Sequence, residues 1–156
     1  AVARTKSWPK INKLMLSEFD KQGDKVPKIA RTYYEKIVPL FYGQGFLGIK
    51  GLLKRVMFFC RGLFSPTPRG PKSHADMRVW SVKTTALACE NFMLGMTAQG
   101  YDTCPMEGFD EVRVQKLLKL PSDAEVVMVI GCGKRAENGV YGPQVRFDKK
   151  LFLHQH

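Results

Sequence analysis

Seven residues near the middle of the chain, Ser65-Pro66-Thr67-Pro68-Arg69-Gly70-Pro71, admit neither a helix nor an interior strand. Each proline fixes φ and removes a backbone donor, so regular structure must stop on one side and restart on the other. The two sides differ in charge. Residues 1–72 hold 15 Lys/Arg against 4 Asp/Glu, and residues 73–156 hold 10 against 10, so the net charge of +11 lies in the first part. A one-signed surface meets an anion (phosphate, a lipid headgroup or nucleic acid) or remains a solvated basic face. The length of 156 residues suits a single domain, 1–156, able to bury a core.

In the basic part, residues 1–27 are polar, with room for a short helix around Ile11, Leu14, Met15, Leu16 and Phe19. Lys28 to Tyr42 follows Pro27 with Ile29, Tyr33, Ile37 and Leu40 at helical spacing, and Pro39 is expected to end or kink that helix. Segment 43–64 interleaves Phe46, Leu47, Ile49, Leu52, Leu53, Val56, Met57, Phe58, Phe59, Leu63 and Phe64 with Lys50, Lys54, Arg55 and Arg61. Lys50, Lys54 and Arg61 share one helical face, and no acidic residue occurs between Glu35 and Asp76. A basic amphipathic helix of this kind packs on its own domain or a partner, covers a site as a lid, or lies on a membrane surface.

In the neutral part, Ser73 or Asp76 can cap a long helix from Asp76 to Gln99, and Gly100 is a natural stop. Apolar residues spread around this helix, which predicts burial on more than one side, inside a monomer or at the centre of a dimer. Asp110 can cap a short helix through Leu118. Glu125 to Gly133 reads as a strand, and its continuous run Val126 to Ile130 predicts burial on both faces.

Cys60, Cys89, Cys104 and Cys132 form no C-x-x-C pair and, with three histidines, no zinc pattern. They read as free thiols of a reducing, cytoplasmic compartment, with Cys104 a packed thiol rather than a nucleophile. No apolar run reaches the roughly 18 residues of a membrane span, and no signal peptide is visible. Residues 1–72 carry no nucleic-acid-binding motif, and nucleic acid is not an expected partner.

Taken alone, Pro105-Met106-Glu107-Gly108 reads as an ordinary helix–helix loop. Its surroundings say more. The chain runs Glu90-Asn91-Phe92-Met93-Leu94-Gly95-Met96, Gly100-Tyr101-Asp102, Pro105 to Asp110, Leu117-Leu118-Lys119-Leu120-Pro121, the strand with Gly131, and Pro143-Gln144-Val145-Arg146. That succession, over about residues 73–148, resembles the C-terminal half of the FMN-dependent nitroreductase family. The resemblance implies an α+β nitroreductase-like fold, helices around a small sheet, with 73–156 as the flavin-binding half. The chain would begin after the family's Arg-rich phosphate-binding start and Pro-Ser-x-x-Asn-type turn.

The resemblance further implies that Pro105, Met106, Glu107 and Gly108 line the flavin ring and that Arg146 binds the phosphate. Gln144 stands where many members carry a phosphate-binding lysine. These types suit the task. Gly108 lets backbone approach a planar ligand, N–H groups at 107 and 108 can address the ring edge, and Arg146 can grip phosphate with two donors. Family members are typically homodimers with FMN at the subunit interface, which would make Asp76–Gln99 the interface helix. They carry electrons from NAD(P)H through FMN to nitroaromatics, quinones or similar small acceptors. Two other readings stay open: a non-enzymatic basic protein on anionic lipid or nucleic acid, and a flavin-free structural relative.

Overall fold

The computed structural model describes residues 1–45, 49–140 and 142–153. Strand β1 (Val2–Arg4) leads into helix α1 (Trp8–Gln22), then α2 (Lys28–Thr32), α3 (Val38–Tyr42), α4 (Ile49–Gly62) and α5 (His74–Ala98). Strand β2 (Asp102–Met106), helix α6 (Glu111–Leu117) and strands β3 (Ala124–Val126) and β4 (Val129–Gly133) complete the order, with a short 3-10 turn at Lys149–Leu151. The polar start therefore carries a full four-turn helix, longer than its scattered apolar residues suggested.

Local chemistry sets the ends of α5. The Ser73 side chain accepts from the Asp76 N–H, and the Asp76 carboxylate accepts from the Lys72 N–H, so the two candidate caps act together. At the other end Gly100 takes φ +79, Tyr101 N–H reaches Met96 O and Gly100 N–H reaches Thr97 O. That pair of bonds is the αL-terminated motif for which glycine is preferred. Asp110 caps α6 through the Arg113 N–H. The end of α6 repeats the αL motif with Lys119 at φ +51, where Leu120 N–H bonds Gln115 O and Lys119 N–H bonds Lys116 O.

Pro39 neither ends nor visibly breaks its helix. Tyr33–Ile37 forms a π turn between α2 and α3, and the rod continues to Tyr42. A proline denies one carbonyl its i+4 donor, and a wider turn re-pairs the ladder around the gap. The apolar stripe of this rod remains largely outward, with Ile29 81% exposed.

The expected single strand at 125–133 is two. β3 pairs antiparallel with β1, Ala3 opposite Glu125, while β4 pairs antiparallel with β2, Thr103 opposite Cys132. Val127 and Met128 form the switch between partners, and Val127 N–H donates to Ala1 O. Burial alternates through Ala124, Val126 and Met128, with Glu125 and Val127 half-exposed, so one face is covered rather than two. The apolar run predicted two-sided cover, but each ribbon has two strands and α5 lies against β1 and β2.

The core is small: Ala3, Val38, Phe58, Met77, Cys89, Ala124, Val126 and Met128. An aromatic chain ties three helices together, Trp8 to Tyr42 at 5.9 Å and Tyr42 to Trp80 at 6.2 Å between ring centroids. Ion pair Arg4–Asp123, at 2.9 Å, closes the end of the β1–β3 ribbon, and Arg78–Glu125, also at 2.9 Å, ties the ribbon to α5. Much apolar surface stays outside, including Leu87, Phe92 and Leu94 on α5. Among the described residues the long helix is covered along one stripe only, through Met77, Ser81, Thr85, Cys89 and their neighbours.

Candidate functional site

β2 carries the residues of interest to one end of a ribbon. Asp102, at its start, is gripped by Arg135 through two guanidinium contacts, Nε to Oδ2 at 2.5 Å and Nη2 to Oδ1 at 3.1 Å. The hydrogen bond from Arg135 holds the Asp102 carboxyl below the usual carboxylate range and raises the guanidinium in return. The segment leaving β4 is thereby pinned to the segment entering β2. A shallow cavity of about 580 Å³ opens beside this pair, lined by Asp102, Cys104, Cys132 and Lys134 among others. The pair was not legible in sequence, because 33 residues separate its members and no local pattern joins them.

Pro105 and Met106 do not lie in a turn, as the tetrapeptide suggested. They are the last two residues of β2, opposite Ile130 and Val129. A proline is compatible with a strand that has a sheet neighbour on one side only. The chain turns immediately afterwards, where Phe109 N–H folds back onto Glu107 O at 3.0 Å. Pro105, Met106, Glu107 and Gly108 are all exposed. Gly108 is not among the described glycines with positive φ, so its value is access rather than conformation. A Cβ built on it meets nothing within 4 Å. The N–H groups of Glu107 and Gly108 donate to no protein acceptor among the described residues. The end of β2 thus presents two adjacent donors beside open space.

Gln144 and Arg146 lie in an exposed stretch without regular structure after β4. No hydrogen bond or ion pair joins them to residues 105–108 among the described residues. Neither side chain has a hydrogen-bond or ion-pair partner among the described residues. Cys104, expected to be packed, is exposed, while Cys89 is the buried thiol, and all four cysteines are unbridged. Among the described residues no group of His, Cys, Asp and Glu could hold a metal ion, and no helix is long and apolar enough to cross a membrane.

The basic segment gives the clearest reversal. Within α4 the buried positions are Gly51, Lys54 and Phe58, while Leu52, Leu53, Val56, Met57 and Phe59 are exposed. Lys54 is 4% exposed, and its ammonium donates to Phe41 O at 2.9 Å and Pro71 O at 3.0 Å. Burial lowers its pKa below the ordinary lysine value, and Lys50 adds to that. The helix does pack on its own domain, but through this stripe and not through its apolar face. Phe46 and Leu47 lie outside the described residues. Beside α4, an apolar cavity of about 520 Å³ is lined by Tyr33, Ile37, Phe41, Met57 and Trp80 among others.

Comparison with known proteins places this architecture. The family model described as "Nitroreductase family" matches residues 9–134. Protein DrgA of Synechocystis is 43% identical over 56 residues, 36% of this chain and 27% of DrgA. MhqN of Bacillus subtilis, named as a proposed NAD(P)H nitroreductase, is 41% identical over 54 residues, 35% of this chain and 26% of that protein. Among solved structures, YdfN of Bacillus subtilis, described as a proposed nitroreductase, superimposes with a TM-score of 0.67 at 20% identity, covering 99% of this chain and 61% of YdfN. A proposed nitroreductase from Exiguobacterium sibiricum, solved in complex with FMN, gives a TM-score of 0.62 at 18% identity, covering 99% of this chain and 60% of that one. The fold is therefore nitroreductase-like and α+β. The chain spans about three fifths of the solved structures it resembles, and its matches reach about a quarter of the two curated relatives.

Proposed function

We propose, from the premise that the chain belongs to the nitroreductase family, that it is the FMN-binding part of an oxidoreductase. Its electrons would come from NAD(P)H and pass to a nitroaromatic, a quinone or a similar small acceptor. The observation that carries this reading is the pair of unengaged N–H groups at Glu107 and Gly108, at an exposed strand end where no side chain intrudes. Bound there, FMN would supply the chemistry by accepting a hydride and passing its electrons on.

The protein's part is to bind and orient. Fixed N–H donors cost no reorganisation when negative charge gathers on the ring edge they face. Pro105 and Met106, held in register by β4, limit how far that edge can shift. The Arg135–Asp102 pair secures the other end of the ribbon. Arg146 supplies a two-pronged contact to a phosphate, and Gln144 adds a neutral donor where a charged one would bind more strongly. A second copy of the chain would cover Leu87 and Leu94 of α5 and complete the crevice around the flavin. Four unbridged thiols suit a reducing compartment such as the cytoplasm.

Titration with FMN tests this, read by quenching of flavin fluorescence and by the absorption spectrum. Saturable binding, followed by NAD(P)H-dependent bleaching of the flavin bands, is the expected result. Absence of binding both in this chain and in a version extended at its N-terminus would reject the reading. Light scattering on the same samples tests the homodimer.

A further inference from the structure

We propose that α4 is an interfacial helix that seats the protein on an anionic lipid bilayer. Three independent contacts fix which way α4 faces. Gly51 lies so close to the next segment that a Cβ would sit 2.0 Å from Lys72 O. Lys54 is tied to the carbonyls of Phe41 and Pro71. Phe58 packs on Phe41 with ring centroids 5.6 Å apart. These residues, spaced three and four apart, form the stripe that faces the domain, and the helix cannot roll without breaking all three contacts.

At 100° per residue the opposite side carries Ile49, Leu52, Leu53, Val56 and Phe59, with Leu63 and Phe64 just beyond the last turn. All are exposed: Leu52, Leu53, Phe59 and Leu63 at 64% each, Phe64 at 89%. The margins between this face and the domain hold Lys50 and Arg61 on one side and Arg55 on the other, all exposed. An apolar face turned outward with cations along both edges is how an amphipathic helix lies in a headgroup layer. α4 has 14 residues, and it lies along a bilayer rather than across it.

Charge selects the occupant. A two-fold axis passing through this face would set Lys50, Arg55 and Arg61 against their own copies, with no acidic residue between Glu35 and Asp76 to offset them. The exposed apolar face of α5 differs, because Lys83 and Glu90 stand among Leu87 and Leu94, a mixture a second copy can accept. The surface complementary to α4 is anionic and apolar beneath, which describes a bilayer containing acidic phospholipid. None of these residues belongs to the flavin edge, so lipid binding and flavin binding stand or fall separately.

Flotation with vesicles tests it, using phosphatidylcholine alone and phosphatidylcholine mixed with phosphatidylglycerol. The chain should float with the mixed vesicles, bind far less to phosphatidylcholine alone, and lose affinity as salt rises. Leu53→Ser combined with Phe59→Ser should lower the partition at least about tenfold while leaving the melting temperature intact, because both side chains are exposed. Replacing Lys50, Arg55 and Arg61 by Gln should cost about fivefold per residue. In Phe59→Trp, tryptophan emission should move to shorter wavelength on mixed vesicles. Four outcomes would overturn the proposal: no flotation of the chain, flotation unaffected by the apolar double variant, a fall in solution mass in that variant, or loss of flotation in a chain extended at its N-terminus. The third would assign the face to a second copy, and the last to the protein's own additional segment.

Discussion

The Lys54 ammonium donates to the carbonyl of Pro71 at 3.0 Å, joining α4 to the proline-rich loop across 17 residues. It donates to Phe41 O as well, so one buried cation bridges two carbonyls near the core, sharing that of Pro71 with the Gln44 amide. Lys54→Met should destabilise the fold by about 2 kcal/mol. Losing two charge-assisted bonds outweighs the relief of desolvation, although Gln44 still donates to Pro71 O. The sign with pH is fixed by burial, which lowers the folded pKa. The unfolded chain then binds the proton more tightly, and stability rises as pH climbs through the lowered value toward the ordinary lysine value. Urea denaturation at neutral and alkaline pH should show that rise in the wild type and not in Lys54→Met.

Two glycine substitutions should act in opposite directions. Gly51→Ala places a methyl 2.0 Å from a backbone oxygen of Lys72, and α4 must lift off the loop to admit it. The expected net loss is about 1–2 kcal/mol, after about 1 kcal/mol of better helix propensity is set against the overpacking. Gly95→Ala lies within α5 with nothing within 4 Å of the new Cβ, and should stabilise by about 0.5–1 kcal/mol. Thermal melts of the two variants side by side check both signs.

Local signals were readable from sequence, and relations between distant segments were not. Ser73, Gly100 and Asp110 act through atoms a few residues away, so the ends of α5 and the start of α6 followed from their residue types. The division of 124–133 into two strands depends on which partner each half meets, β1 or β2, and a run of valines carries no such information. α4 shows the same limit. Its amphipathic pattern was evident, but the assumption that an apolar face turns inward fails where Gly51 and Phe58 make the close contact and Lys54 finds carbonyls. The Pro105–Gly108 segment was singled out by its resemblance to a family. Its place at the end of a strand follows from pairing with Val129 and Ile130, which residues 105–108 alone do not encode.

Lys119 ends α6 with φ +51, a conformation that costs a residue bearing a Cβ about 1 kcal/mol relative to glycine. The bonds of Leu120 to Gln115 O and of Lys119 to Lys116 O need only backbone, so the side chain is not required for the motif. Lys119→Gly should stabilise by up to about 1 kcal/mol, less the greater freedom it gives the unfolded chain. A denaturation midpoint that moves downward would show that Lys119 contributes a contact worth more than the strain.

Acid should loosen the ribbons and the start of α5 together. Asp123 is held below the usual carboxylate range first by the Arg4 hydrogen bond and then by the Lys6 N–H, and Asp102 by Arg135. Asp76 is lowered mainly by the Lys72 N–H and further by Ser73. Folded values below the unfolded ones give stability that is complete above about pH 4 and lost as pH falls through the lowered values. Denaturation between pH 6 and pH 2 (roughly the window these carboxylates span) should show that decline. Asp123→Asn should flatten part of it, and an equal slope in variant and wild type would remove Arg4–Asp123 from the account.

The proposed flavin edge makes the sharpest demand on one residue. A methyl group placed on Gly108 would have no neighbour within 4 Å, so a larger side chain there should leave folding stability within about 0.5 kcal/mol of the wild type. The same side chain would occupy the space beside the Glu107 and Gly108 N–H groups that the proposed function gives to the ring. Gly108→Leu should therefore weaken FMN binding at least about tenfold with an unchanged melting curve. Arg146→Gln should weaken it by a comparable factor through the phosphate, and that loss should shrink with riboflavin, which has no phosphate to lose. Gly108→Leu should weaken FMN and riboflavin equally, since it acts at the ring. An unchanged FMN affinity in Gly108→Leu would mean that the end of β2 does not meet the flavin, whatever the family to which the chain belongs.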